Sequence, residues 1–363
     1  MKEAGPPPIE RLAIRAPNHL GELLLALPAL EAASARERRE TGTAPVVQVV
    51  SWLIPLLAMT DLDARILPLS DRRDIAAASR ELRRYDVRRG ILLTPSVSSA
   101  LIFRAAGLDV RRGTAGGGRA WLLTDVVNRA PLLEDHRVKE FFAIAGLPVP
   151  EGEPPPPRLT AIDAARAAWS DRRRARRIPD DGRQLVALFP GANGMARRWP
   201  AEKYAALARS LAGSEYRVLV LGGPEDRPVT EAVTNQALTD DGTLDGAVVD
   251  MGGRTSLVEL AGALDACHLL VTNDTGPMHL AAALDRPIVA IEGPADIRQT
   301  RPLANRTRLV GRFDLSCVPC VKNECPRRGH GTILESAERE CLRLITVDEV
   351  LEASLASLEE ASA

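Results

Sequence analysis

Aromatic residues are scarce in this chain: Phe, Trp and Tyr make up 3% of its 363 residues. That scarcity removes the stacking platforms on which single-stranded nucleic acids are held. Net charge is almost absent too. The 47 Lys and Arg against 48 Asp and Glu leave −1 at pH 7, so no global field draws in nucleic acid. No apolar run reaches the roughly 18 residues that a membrane-spanning helix needs. The opening "MKEAGPPPIE" lacks an apolar signal-peptide core, so a cytoplasmic protein is expected. Cysteine is sparse and odd in number, with Cys267, Cys317, Cys320, Cys325 and Cys341. An odd count in a long chain fits a reducing compartment better than a disulfide scaffold.

What is present is alternation. "RLAIRA", "PVVQVV", "ARILPL" and "GILLT" read as apolar strands, with helical stretches such as "LGELLLALPALEAASARERRE" between them. Near-continuous apolar strands separated by helices indicate a buried parallel sheet covered on both faces. A proline-rich stretch, "LPVPEGEPPPPRLT" from Leu147 to Thr160, breaks the pattern and reads as a semi-rigid linker. The pattern then resumes with "QLVALFP", "YRVLVLGG", "HLLVTND" and "PIVAIEG". The expected organisation is a disordered tail over 1–10, an N-terminal Rossmann-like domain with its linker over 11–160, a second Rossmann-like domain over 161–345 and a closing helix over 346–363. Two doubly wound α/β domains facing a central cleft would place ligands beyond the carboxyl ends of their strands.

Three strand-to-helix loops carry residues suited to chemistry. In "RAPNHLGELLLALPAL", Gly21 and Glu22 fall in the first helical turn after strand one. A carboxylate there is stabilised by the helix dipole, or serves as a general base toward a sugar hydroxyl. In "FPGANGMARRWP", Gly191 and Gly194 permit close backbone approach, and Arg197 and Arg198 offer guanidinium groups suited to phosphate. Trp199 reads as a packing anchor. In "VTNDTGPMHLAAAL", Asp274 ends a strand, Thr275 and Gly276 open a helix, and His279 lies in its first turn. A helix start of this kind receives anions, or is simply a capped helix. Downstream, "EGPAD" places Glu292, Gly293, Pro294 and Asp296 at a similar strand end. The basic run "DRRRARR", Asp171 to Arg177, is a solvated helix face or a contact for anionic lipid headgroups.

These segments, together with "SLVELAGALDACHLLVTNDTGPMHLAAALDRPIVAIEGPAD" and "CVPCVKNECP…CLRLITVDEV", resemble glycosyltransferase family 9, the lipopolysaccharide heptosyltransferases, from about Arg11 to Val350. The resemblance implies a GT-B fold and an inverting, metal-independent transfer of heptose from ADP-heptose to a lipid-linked inner-core oligosaccharide. It implies no nucleic-acid partner and a peripheral contact with the cytoplasmic face of the inner membrane. It places the catalytic acid, an aspartate in the family, on Glu22, and the basic residue before the Trp-Pro pair, usually lysine, on Arg197. Donor binding would fall to Gly191, Arg197, Arg198, Asp274, Thr275, Gly276 and His279, with Asn18, His19 and Gly21 on the acceptor side. Charge on the leaving ADP would be stabilised by Arg197 and the amides around Gly276 in place of a metal ion.

The cysteine-bearing tail raises a separate expectation. Cys317, Cys320, Cys325 and Cys341, with His330 between them, are enough ligands for a structural zinc, although the spacing departs from paired C-x2-C. The alternative is a loop of small, partly buried thiols. Two further readings of the whole chain stand beside transfer: a sugar-nucleotide epimerase on the same scaffold, and a non-catalytic sugar-nucleotide-binding protein.

Overall fold

The computed structural model describes residues 11–213, 216–238, 246–326 and 339–362; the tail expected over 1–10 lies outside them. The chain divides into two compact units, Met1–Thr160 and Ala161–Ala363.

The first unit runs β1 (Arg11–Arg15), α1 (Leu20–Thr41), β2 (Val46–Val50), α2 (Ile54–Leu57), β3 (Arg65–Leu69), α3 (Ile75–Arg83), β4 (Val87–Leu92), α4 (Val97–Ala106), β5 (Val110–Thr114), β6 (Asp125–Val127) and α5 (Arg137–Ile144). Its strands form a parallel sheet in the order β3-β2-β1-β4-β5-β6. The first half of α1 is buried continuously from Leu23 to Leu30, because its "LLLALPAL" stretch lacks a polar side. Its "RERRE" half returns to solvent apart from Ala33, Ser34 and Glu37. The proline-rich stretch has neither helix nor strand, and Thr160 at its end donates a backbone hydrogen bond to the Met59 carbonyl at 2.9 Å.

The second unit runs α6 (Asp163–Ala175), β7 (Leu185–Phe189), α7 (Ala201–Gly213), β8 (Arg217–Gly222), α8 (Arg227–Ala237), β9 (Val248–Gly252), α9 (Leu257–Ala266), β10 (Leu269–Asn273), α10 (Gly276–Ala283), β11 (Ile288–Glu292), α11 (Ile297–Thr300), β12 (Thr307–Gly311), α12 (Glu340–Arg343) and α13 (Val347–Ser362). The sheet order is β12-β11-β10-β7-β8-β9. Read from β9, this is the same 3-2-1-4-5-6 winding as in the first unit. Val186, Leu188, Val218, Val220, Val271 and Val289 form the middle of its core. Helix α13 contributes Val350 and Leu358 to that core, so the closing helix packs as part of this unit. Gly262 lets α9 lie directly on α6: a Cβ there would stand 2.0 Å from the Ala165 carbonyl oxygen.

The eight strands read from the sequence are all present. Four more, β5, β6, β9 and β12, are not apolar runs. β5 is "VRRGT", β6 has three residues, β9 carries Asp250 and β12 is half-buried throughout. In both sheets the winding reverses beside the first strand, between β1 and β4 and between β7 and β10. That reversal opens a crevice at the carboxyl ends of those strands.

Candidate functional site

In the first unit the crevice is bounded by the β1–α1 loop. Arg15 is fully buried at the end of β1. Its guanidinium donates to the carbonyls of Ala16 and Gln48 and to the side chain of Asn18, which fixes the loop from beneath. Burial, and secondarily the charge of Arg72, lower the Arg15 pKa to about 10. His19 precedes the helix in extended conformation and is exposed, and Gly21 and Glu22 lie in the first turn of α1. Glu22 is not alone. Arg137, at the start of α5, donates to Glu22 Oε2 at 2.7 Å and to Glu140 Oε2 at 2.8 Å. Arg129 reaches Glu140 Oε1 at 2.9 Å. The acid is thus held in place by a partly buried cation that is itself fixed by a second acid. Arg137 carried no signal in the sequence, because it lies 115 residues from Glu22.

In the second unit, loops after β7 and β10 flank the crevice and are stitched together by Asn273. Its side chain accepts from the Trp199 amide at 3.0 Å and donates to the Pro190 carbonyl at 2.8 Å. Trp199 is a packing anchor, as read: it is buried and meets Tyr204 edge-on, with ring centroids 5.0 Å apart. This frame sends the two arginines different ways. Arg197 Nη1 meets Asp274 Oδ2 at 3.1 Å. Arg198 turns to the Ala192 carbonyl at 2.9 Å and to Asp226 at 3.5 Å. There it borders a hollow of about 600 Å³ with Glu225, Arg339 and Arg343. Gly191 packs against Asp226 so closely that a Cβ would stand 2.3 Å from its carboxyl carbon. Thr275 is extended at the mouth of α10 with no side-chain cap, Gly276 is the first helical residue, and His279 is buried within the helix.

Glu292 completes this group. It ends β11, the strand beside β10, and the register pairs Asn273 with Ile291, so Asp274 and Glu292 follow side by side. Glu292 is 1% exposed and Asp274 6%. Burial first, and Asp274 second, push the Glu292 carboxyl well above its usual range, while Arg197 opposes them. Burial also raises Asp274, again with Arg197 opposing. The sequence placed Glu292 at a strand end but could not show which side chains surround it.

The cysteine segment braces the same loops. Ala196 donates to the Asn323 carbonyl at 3.0 Å and Val321 to the Pro294 carbonyl at 2.8 Å. Cys317, Cys320, Cys325 and Cys341 line one cavity of about 20 Å³. None of the cysteines forms a disulfide. As arranged, no three His, Cys, Asp or Glu side chains among the described residues could hold a metal ion. His330 lies outside the described residues. The basic run is largely engaged within the protein. Arg172 pairs with Glu259 at 2.9 Å, Arg173 with Asp180 at 3.0 Å, and Arg174 with Asp171. No helix among the described residues is long and apolar enough to cross a membrane.

Comparison with known proteins assigns the scaffold. The sequence matches glycosyltransferase family 9 (heptosyltransferase) over residues 75–330. Lipooligosaccharide heptosyltransferase 2 of Haemophilus influenzae is 32% identical over 303 residues, 80% of this chain and 86% of that protein. Lipopolysaccharide heptosyltransferase 2 of Escherichia coli is 29% identical over 281 residues, 73% of this chain and 78% of that protein. Among solved structures, that of E. coli ADP-heptose LPS heptosyltransferase II superposes with a TM-score of 0.76 at 25% identity, covering 97% of this chain and 100% of that one. The paired doubly wound sheets are those of the GT-B heptosyltransferases. The chain is a glycosyltransferase and belongs to glycosyltransferase family 9, the heptosyltransferases.

Proposed function

We propose that the protein transfers heptose from ADP-heptose to a lipid-linked inner-core oligosaccharide, with inversion and without a catalytic metal ion. The observation that carries this reading is the Arg197–Asp274 pair at the mouth of α10, in a chain similar to heptosyltransferases 2 along most of its length. Arg197 and the start of α10 receive the diphosphate. A fixed guanidinium and oriented amides stabilise charge as it develops on the leaving ADP, the task a magnesium ion performs elsewhere. Glu22, steadied by Arg137, takes the proton from the acceptor hydroxyl as that oxygen attacks the anomeric carbon from the face opposite ADP. Attack from that face inverts the anomeric centre.

The test is mass spectrometry of reactions containing the purified protein, ADP-heptose and a panel of lipid acceptors, with the anomeric configuration of the product read by NMR. An acceptor enlarged by one heptose with inverted configuration, in the presence of a chelator, supports the reading. Isomerised donor with no enlarged acceptor would identify an epimerase instead. The acceptor brings the enzyme to the inner-membrane surface. With Arg172, Arg173 and Arg174 already paired, that contact rests on the acceptor more than on the basic run.

A structural metal at Cys317, Cys320, Cys325 and Cys341 is a second proposal, supported by their convergence on one cavity and the thiolate chemistry zinc prefers. The thiols would have to draw closer around the ion. Metal analysis of protein purified without chelator reads the outcome: a stoichiometric metal lost in a Cys320→Ser variant supports it, and metal-free protein of normal stability removes it.

A further inference from the structure

Three charged side chains meet at the carboxyl ends of neighbouring strands in the second unit, and the proposed reaction uses two of them. Glu292 is the third. Its Oε2 is buried and has no hydrogen-bond partner among the described residues, and the same holds for Arg197 Nε. An ionised carboxylate would be poorly served in that position. It would sit in low dielectric beside Asp274, with one guanidinium to compensate two negative charges. A neutral acid fits: with one proton held between the two neighbouring acids, a single negative charge faces the single guanidinium.

We propose that Glu292 is a positioning residue of the donor site, which holds a proton and thereby keeps the Arg197–Asp274–Glu292 group at zero net charge. This inference rests on the reading of the second unit as the diphosphate site. With Glu292 neutral, Arg197 balances Asp274 alone and can turn part of its fork toward a diphosphate. With Glu292 ionised, the group carries one net negative charge, Arg197 is drawn inward and an incoming diphosphate is repelled. The charges acting on Glu292 are Asp274 of the β10 end and Arg197 of the β7 loop. His279 on α10, Arg308 on β12, Glu340 and Arg343 on α12 and the carboxylates of α13 stand on the other elements packed against β11.

The sharpest probe is ADP-glucose, whose diphosphate is a diester with no group that titrates near neutrality. Its affinity for the full-length protein is measured by calorimetry across about pH 6 to 9, alongside Glu292→Gln, which keeps shape and neutrality but cannot ionise. Binding that requires one proton on Glu292 weakens by up to ~10-fold per pH unit once Glu292 ionises. We expect that decline in the wild type and a flat profile in E292Q, which stays within ~3-fold of the best wild-type affinity. Infrared spectroscopy in a Glu31→Gln background, which removes the acid band of Glu31, provides a readout independent of binding: the protein should show a protonated-carboxyl C=O band that the added E292Q removes, and that band should fade over the same pH range. Identical pH profiles for the two proteins, or E292Q weaker by more than ~10-fold at every pH, would overturn the proposal. A missing acid band in the Glu31→Gln background would do so even if E292Q failed to fold. Absence of ADP-glucose and ADP binding at every pH would instead remove the donor-site reading, and the inference with it.

Discussion

In the first unit the acid is the outer partner of its ion pair: the Glu22 side chain is 37% exposed and Arg137 13%. In the second the order is reversed, with the Arg197 side chain 29% exposed and the Asp274 side chain 7%. Both pairs stand at the reversal point of the same winding, yet each presents the opposite charge to its crevice. An accessible carboxylate over a less exposed cation is suited to accepting a proton. An accessible guanidinium over buried acids is suited to receiving a diphosphate. The difference follows from the positions of the acids. Glu22 lies in the first turn of a helix and reaches outward, whereas Asp274 and Glu292 sit on or against strand ends, among side chains that exclude water.

Substitutions can break this comparison at either end, and the largest effect should come from the outward acid. Glu22→Gln is expected to lower turnover by ~10²-fold or more, the scale of general acid–base catalysis. Near-normal turnover would remove its role. Arg197→Ala comes next and should weaken ADP binding by about 1.5–3 kcal/mol, the range for hydrogen bonds to charged groups. Unchanged affinity in calorimetry would move the phosphate site elsewhere.

A smaller effect sharpens the contrast within the first unit. Burial, and then the charge of Asp61, raise the Glu31 carboxyl from its ordinary value of 4.5 to about 7. The folded state therefore holds that proton more tightly than the unfolded chain. The associated stability is fully present below pH 4.5 and declines as pH rises through about 7. Glu31→Gln should flatten that decline in thermal unfolding across the window while leaving transfer intact. An unchanged slope would place the titration on another group. The smallest effect concerns the basic run. Each exposed basic residue near an anionic surface contributes on the order of 1 kcal/mol, and the pairing of Arg172 to Arg174 reduces even that. Reversing their charge should barely alter co-sedimentation with anionic vesicles, and a large loss would restore the run as a membrane contact.

Most of this architecture is legible in the sequence because buried parallel strands advertise themselves as apolar runs. It is hidden where charge interrupts the run, as in "VRRGT" of β5, whose Arg112 bonds to Asp125 and to the Ala143 and Ile144 carbonyls at the end of α5. Candidate residues are legible where they share a short loop, as Arg197 and Arg198 do, but not the divergence that Asn273 and the buried Trp199 impose on them. Arg137 and the burial of Glu292 depend on contacts across the fold and leave no trace in spacing.

The division of labour between the two units is tested most directly by measuring donor binding and heptosyl transfer on the same preparations of wild type, Glu22→Gln and Arg197→Ala. The account predicts that Glu22→Gln binds ADP-heptose as the wild type does but forms little product, and that Arg197→Ala fails first in binding. If Glu22→Gln loses donor affinity and transfer together, or transfers heptose at near the wild-type rate, the assignment of chemistry to the first unit and donor capture to the second is contradicted.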